Sequence, residues 1–149
     1  MPLRKLLSAC ALVLAMVAAV PARAELPTTQ LRAGMHLIRA EVAADNATRM
    51  QGLMHRESLG ANAGMLFIFD EAAIHCMWMK NTLIPLSVAF IDEGGTILNI
   101  ADMQPHSEQS HCAAAPALFA LEMTRGWFAE RGIKPGARLG GLERFTPRR

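Results

Sequence analysis

Apolar and polar positions along the chain divide it into many short segments that are typical of β-strands. Met35–Ala43 alternates between apolar and polar residues, which predicts a half-buried strand. Gly64–Phe69 is continuously apolar, which predicts a strand buried on both faces. Further strands are predicted over residues 74–80, 86–92, 96–103, 117–124 and 138–142. Alternation along 117–124 places Glu122 on the face opposite its apolar neighbours.

Two short helices and several turns complete the predicted elements. Asp45 or Asn46 can cap a first helix, and residues 126–131 can form a second helix that Gly132 ends. Glu93–Gly95 lies between two predicted strands and indicates a hairpin. Many short strands separated by turns predict a mainly β (α+β) fold, a compact single-domain barrel or sandwich with two short helices.

The first residues of the chain have the pattern of an export signal. Arg4 and Lys5 precede the apolar run Leu6–Val20, and small residues at positions 22 and 24 form a cleavage pattern. We therefore predict a signal peptide at residues 1–24 and a periplasmic or secreted protein. The alternative is an uncleaved anchor, but the apolar run is shorter than the ~20 residues that a membrane span needs. No stable membrane span is expected after cleavage.

Removal of this signal sets the predicted domain organisation and charge. Residues 25–34 are polar and contain Pro27, so we predict a loose N-terminal arm, followed by a globular domain at 35–145 and a frayed end at 146–149. The three basic side chains of the signal (Arg4, Lys5 and Arg23) leave with it, so 12 basic and 13 acidic side chains remain and the net charge is −1. Nucleic acid is therefore not an expected partner.

Two cysteines remain after the predicted cleavage, and the export context favours a bond between them. Cys76 and Cys112 are an even pair in an oxidising compartment, which predicts a disulfide. Closing a loop of this length contributes roughly 4 kcal/mol to stability. A nucleophilic cysteine is the alternative, but His75 would point to the opposite face of a strand from Cys76.

The segment around Cys76 also raises the possibility of a copper site. His75, Met77 and Met79 would share one strand face, and imidazole and thioether groups suit Cu(I). The loop with His106, His111 and Cys112 could complete such a site. Methionine also fills irregular cores, and the chain has no zinc-type spacing of cysteine and histidine. We therefore predict packing roles here, with no metal and no cofactor, and keep copper binding as an alternative.

Several motifs carry a resemblance to a known family. These are Arg49-x-x-Gly52-Leu53-Met54-x-Arg56, GMLFIF at 64–69, WMKNTLIPL at 78–86, FID at 90–92, and LEM at 121–123 followed by Gly126. Over about residues 35–142 the chain resembles domain-of-unknown-function family 192, also called UPF0127. The resemblance implies a compact, mainly β domain with short helices that is often exported. It implies no activity, because the function of that family is not established.

The resemblance also selects polar and aromatic candidates for a ligand site. They are Arg49, Arg56, Trp78, Lys80, Asn81, Thr82 and Glu122. Arg49 and Arg56 are two helical turns apart if the helix continues, so with Lys80 they would form a cationic pocket beside Trp78. Glu122 would pair with one of these cations. The first hypothesis is therefore a cell-envelope module that binds a small anionic or sugar-like ligand; charges that only balance one another are the alternative.

An enzyme is the second hypothesis. Glu122 would act as the general acid or base of a hydrolase, and Lys80 would stabilise a developing anion. The polar set that the resemblance selects contains no triad and no carboxylate pair, so whether the protein is an enzyme stays open at this point.

Overall fold

The computed structural model describes residues 25–146, and the predicted signal peptide and residues 147–149 lie outside this range. The strands are β1 Thr28–Ala33, β2 His36–Ala43, β3 Ala63–Ala73, β4 Cys76–Met77, β5 Leu86–Ile91, β6 Ile97–Met103, β7 His111–Cys112, β8 Ala117–Thr124 and β9 Leu139–Gly140. The helices are α1 Asn46–Gln51 and α2 Trp127–Glu130, with a 3₁₀ helix at Glu143–Phe145. The mainly β fold with two short helices is thus confirmed.

Seven strands form one sheet in the order β6-β5-β8-β3-β2-β1-β9, and β4 pairs with β7 in a separate two-stranded sheet. All neighbours are antiparallel except β2 and β3, which are parallel and are connected through α1. Backbone hydrogen bonds join residues 95–97 to residues 136–139, next to the opposite edge strand. The sheet therefore curls, and its two edges meet at one end.

Both faces of the curled sheet are buried, because a hydrophobic core lies on each side. The first core contains Phe119, Leu121 and Met123 of β8 and is covered by side chains of α2 and of the C-terminal segment. The second core contains Met65 and Phe67 of β3 and residues of β5, and is covered by side chains such as Leu53, Met79 and Ala113. Alternation along β8 places Glu122 on the side of this second core, between Met65 and Val88 of the flanking strands.

Several predicted boundaries are corrected by the structure. The loose arm is wrong for residues 28–33, which form β1 between β2 and β9. Only Leu31 in β1 is strongly apolar. The alternation of buried and exposed positions along this strand is therefore weak in the sequence. The strand predicted over 74–80 is reduced to Cys76–Met77, and the strand predicted over 138–142 to Leu139–Gly140. The predicted frayed end does not include Thr146, whose hydroxyl donates a hydrogen bond to the Glu143 carbonyl at 3.1 Å.

No helix within residues 25–146 is long and apolar enough to cross a membrane.

The contact between β3 and β8 depends on a glycine. A Cβ atom on Gly64 would lie 2.5 Å from the carbonyl oxygen of Glu122 and even closer to the sulfur of Met123. We expect Gly64→Ala to lower the free energy of unfolding by roughly 1–3 kcal/mol, because strand backbone cannot yield as a flexible side chain can. Chemical denaturation measures this change.

Gly140→Ala in β9 is the matched control, since the nearest atom to its added Cβ would be 3.9 Å away, an ordinary contact. Equal stability of the two variants would contradict the close approach of β3 and β8.

Candidate functional site

Glu122 is a buried acid that has no partner in the described part of the chain. It lies in the middle of the central strand β8 and only 4% of its surface is exposed. No hydrogen bond or ion pair to its carboxyl group is found within residues 25–146. Burial alone raises the pKa of Glu122 to about 8, and no neighbouring positive charge opposes this rise. Near pH 7 burial therefore favours the protonated form of this group.

The Glu122 side chain lines a cavity of about 220 Å³ on the second face of the sheet. The other lining residues come from β3, from the α1 region (residues 46–54) and from the segment 76–82, which we call the roof segment. They are Asn46, Arg49, Met50, Gln51, Gly52, Leu53, Met54, Phe67, Phe69, Cys76, Met77, Trp78 and Thr82. Six of the fourteen lining residues are aromatic or thioether side chains, and polar side chains share the lining with the single acid, a mixture that is common in ligand sites.

The roof segment is held in place at several points along its length. The predicted disulfide between Cys76 and Cys112 is confirmed and joins β4 to β7. Met79 is fully buried in the second core, and its backbone N–H donates to the carbonyl of Ser107 at 2.9 Å. Asn81 has a positive φ of 53°, which turns the chain, and its carbonyl accepts from the N–H of His55 at 2.9 Å. These contacts fix Trp78 and Thr82 over the cavity.

Arg49 lines the cavity, but its guanidinium group is already occupied. Nη1 donates to the carbonyls of Ala44 and Ile68 at 2.8 Å each, and Nη2 donates to Asn46 at 2.6 Å. Asp70 completes the set with an ion pair at 3.0 Å. The role of Arg49 in this geometry is to tie the end of β3 to α1, which Asp45 begins with a capping box.

Arg56 does not share this cavity with Arg49, so the predicted common cationic pocket is wrong. Helix α1 ends at Gln51 and the chain turns at Gly52, where φ is positive, so the spacing of two helical turns does not apply. Arg56 instead forms two hydrogen bonds with Glu41, at 2.8 and 2.6 Å, which raise the pKa of the arginine. This pair lies in a neighbouring cavity of about 690 Å³.

Lys80 and Asn81 are exposed and are not among the residues that line the cavity. The Lys80 ammonium lies 5.2 Å from the centre of the Trp78 ring, a distance typical of a cation–π contact. The expectation that Glu122 pairs with a nearby cation is wrong for residues 25–146, because no ion pair in that range includes it. Of the seven candidates, Arg49, Trp78, Thr82 and Glu122 meet at one cavity.

Of the residues of the copper alternative, Met77 and His111 are partners across β4 and β7, whereas His75 and Met79 have other contacts. His75 stacks on Phe69 with ring centres 3.7 Å apart, and its Nε2 lies 2.9 Å from the carbonyl oxygen of Glu71. Met79 is buried in the second core, and of this group only Met77 lines the cavity. Within the described range, no group of three or more His, Cys, Asp or Glu side chains is placed to hold a metal ion.

The sequence did not indicate the apolar walls of the cavity. Phe67, Phe69 and Met54 were assigned to a buried strand and a helix, without a role in a site. Period-two alternation does place Phe67 and Phe69 on one face of β3, the face that Glu122 shares on β8. The sequence pattern therefore predicts which strand residues share the face of Glu122, but it does not predict which segments cover that face.

Comparison with known proteins places the chain in a family. The family DUF192, described as Uncharacterized ACR, matches residues 28–141. A Sinorhizobium meliloti protein proposed to be a transcription regulator is 36% identical, with a TM-score of 0.78 over 80% of this chain and 98% of that chain. A Novosphingobium aromaticivorans protein of unknown function is 35% identical, with a TM-score of 0.76 over 81% and 90% of the two chains.

No curated protein matches this sequence. Because the family match spans most of its length, the chain belongs to the DUF192 family of uncharacterised proteins.

Proposed function

We propose that this protein is an exported module of the cell envelope that binds a small ligand in the cavity above Glu122. The observation that supports this function is the buried carboxyl group, which has no partner within residues 25–146 and borders an open cavity. Within residues 25–146 the carboxyl oxygens are not sealed from solvent, so they open into the cavity and can contact a molecule that enters it. A ligand that enters the cavity would supply the missing partner.

The composition of the cavity defines the shape of this ligand. Aromatic and thioether side chains would contact an apolar body, and a polar group on the ligand would meet Glu122 and the hydroxyl of Thr82. A volume of about 220 Å³ suits a molecule smaller than a typical drug. The anionic ligand expected from the sequence is disfavoured, because Arg49 and Arg56 are each bound to acidic side chains.

The test is a fragment screen by protein NMR with small cationic, neutral and anionic compounds. We expect fragments to shift the signals of residues that line the cavity, and Glu122→Gln to weaken their binding at least about tenfold, since about 1.4 kcal/mol corresponds to a factor of ten. Glu108→Gln is the matched control, because Glu108 is exposed on a loop and does not line the cavity. Fragments that bind only elsewhere on the surface would contradict the proposal.

General-acid catalysis is the second candidate function, and one observation favours it. A carboxylic acid that keeps its proton near pH 7 can donate it to a leaving group. The stabilising role first assigned to Lys80 has no support, because Lys80 does not line the cavity. If a bound fragment is converted to product by the wild type and only bound by Glu122→Gln, the protein is an enzyme.

A further inference from the structure

The walls of the cavity are rich in groups that attract positive charge. Phe67, Phe69 and Trp78 contribute three aromatic rings, and aromatic faces carry partial negative charge. His75 covers one face of the Phe69 ring, so the other face is the one open to a ligand. Met50, Met54 and Met77 contribute polarizable thioether groups to the same lining. Trp78 is 42% exposed, so its ring is accessible to a solute as well as to Lys80. Such a lining is typical of sites for organic ammonium groups.

The charges that line the cavity permit the same class of ligand, and the Lys80 ammonium beside Trp78 is exposed and lies outside the lining. Arg49 is the other charged residue in the lining, and Asp70 offsets its charge while three further acceptors use its donors. The strand neighbours of Glu122 are the apolar Met65 and Val88, and Thr82 in the roof segment is uncharged. Glu122 is therefore the one acid in this lining, and it has no counter-charge within residues 25–146.

We infer that the cavity takes a small organic cation, whose charge is met by the Glu122 carboxylate and whose alkyl groups contact the aromatic and thioether walls. This inference rests on the proposed function and narrows its ligand to one chemical class. An anion would find a single, already occupied guanidinium group and an acid. A neutral molecule could only form a hydrogen bond with the protonated carboxyl group, whereas a cation also gains an ionic contact when that group loses its proton.

Binding of such a cation is coupled to the loss of a proton. In the free protein, burial keeps the pKa of Glu122 at about 8, so the group is protonated near pH 7. The cation favours the ionised carboxylate, and the proton passes to the buffer as the cation enters. Affinity for the cation should therefore rise as the pH rises towards 8, since less proton must then be displaced. A neutral ligand that accepts the carboxyl hydrogen would show the opposite trend.

Choline and two molecules of the same shape separate these possibilities. One of these two molecules is the neutral alcohol in which carbon replaces the quaternary nitrogen of choline. The other is the anion of tert-butylacetic acid. Calorimetry and NMR titration near pH 7 should show choline bound about tenfold or more tighter than the alcohol, as cation–π and ionic contacts predict, with the anion weakest. Calorimetry in two buffers of different ionisation enthalpy should show release of about one proton for each choline bound.

Two variants test which side chains produce the preference for choline and the release of the proton. Glu122→Gln should remove the preference for choline over the alcohol and the release of the proton, whereas Trp78→Ala should weaken choline binding and keep the release. Wild-type-like NMR spectra of both variants establish that they are folded. Vesicles of phosphatidylcholine provide a further arm, because binding of vesicles without binding of free choline assigns the cation to a lipid headgroup.

The failures of the two proposals differ. If choline and the alcohol bind the cavity equally, or if the anion binds most tightly, the cation inference is wrong and a ligand-binding cavity remains. If none of these probes and no fragment of the wider screen shifts a cavity signal, the proposed function is wrong as well.

Discussion

Above about pH 8, the Glu122→Gln variant should be more stable than the wild type by on the order of 3–5 kcal/mol. The pKa of Glu122 is raised from 4.5 to about 8 by burial, so the folded state binds its proton more tightly than the unfolded chain does. The stabilisation that this proton provides is complete below pH 4.5 and is lost as the pH rises through about 8. The glutamine side chain has a similar shape and cannot ionise, so it avoids this loss.

Denaturant unfolding at several pH values measures the difference. The two proteins should have similar stability near about pH 4. Between the ordinary value of 4.5 and about 8 the variant should gain roughly 1.4 kcal/mol over the wild type for each pH unit, and no more above that range. Glu108→Gln, which changes an exposed acid in the same way, should follow the wild type throughout. Parallel pH profiles for the wild type and Glu122→Gln would contradict the burial of an unpaired carboxyl group.

Loss of the disulfide should have the second large effect. The Cys76→Ala/Cys112→Ala double variant should lose about 4 kcal/mol of unfolding free energy, since the bond closes a long loop and restricts the unfolded chain. The structural effect of removing the disulfide should also be concentrated in β4 and β7. Strands β4 and β7 have two residues each, and a two-stranded pair of this size is not stable on its own.

Hydrogen exchange monitored by NMR tests the local part of this prediction. In the double variant, exchange should accelerate in the roof segment much more than in the central strand β8. Binding of cavity ligands should weaken too, because the roof segment carries Met77, Trp78 and Thr82. Addition of a reductant should reproduce these changes in the wild type and leave the double variant unaffected. Unchanged exchange in the roof segment would show that the other contacts suffice to hold it.

Much of the sheet could be predicted from alternation of apolar and polar residues. Strands β2, β5, β6 and β8 were anticipated within one residue at each end, because each has a side that must be buried. β1 was missed, since its buried positions include Thr29 and Ala33 and so give little contrast with its polar ones. The apolar residues of segment 74–80 predicted a longer strand. In the structure these residues pack beneath a turn and do not continue the hydrogen-bonded strand.

The candidate site was predicted in part. Glu122 was selected by the family resemblance, and alternation placed it on the face of its strand opposite Phe119, Leu121 and Met123, without indicating that this face is buried too. Cys76 and Cys112 were paired correctly. The positions of Arg49 and Arg56 were misjudged, because their separation depends on where α1 ends and on tertiary partners, Asp70 and Glu41, that are distant in sequence. Local patterns define the face on which a side chain lies, but not the segment that covers it.

The pKa of the Glu122 carboxyl group, measured by carbon NMR as the pH is varied, tests the central claim most directly. The account predicts a midpoint near 8 in the free protein, because the group is buried beside the cavity without a counter-charge. A midpoint close to the ordinary value of 4.5 would mean that water or a partner already stabilises the charged form. In that case Glu122 would have no need of a partner from a ligand, and the proposal that this cavity is the functional site would be contradicted.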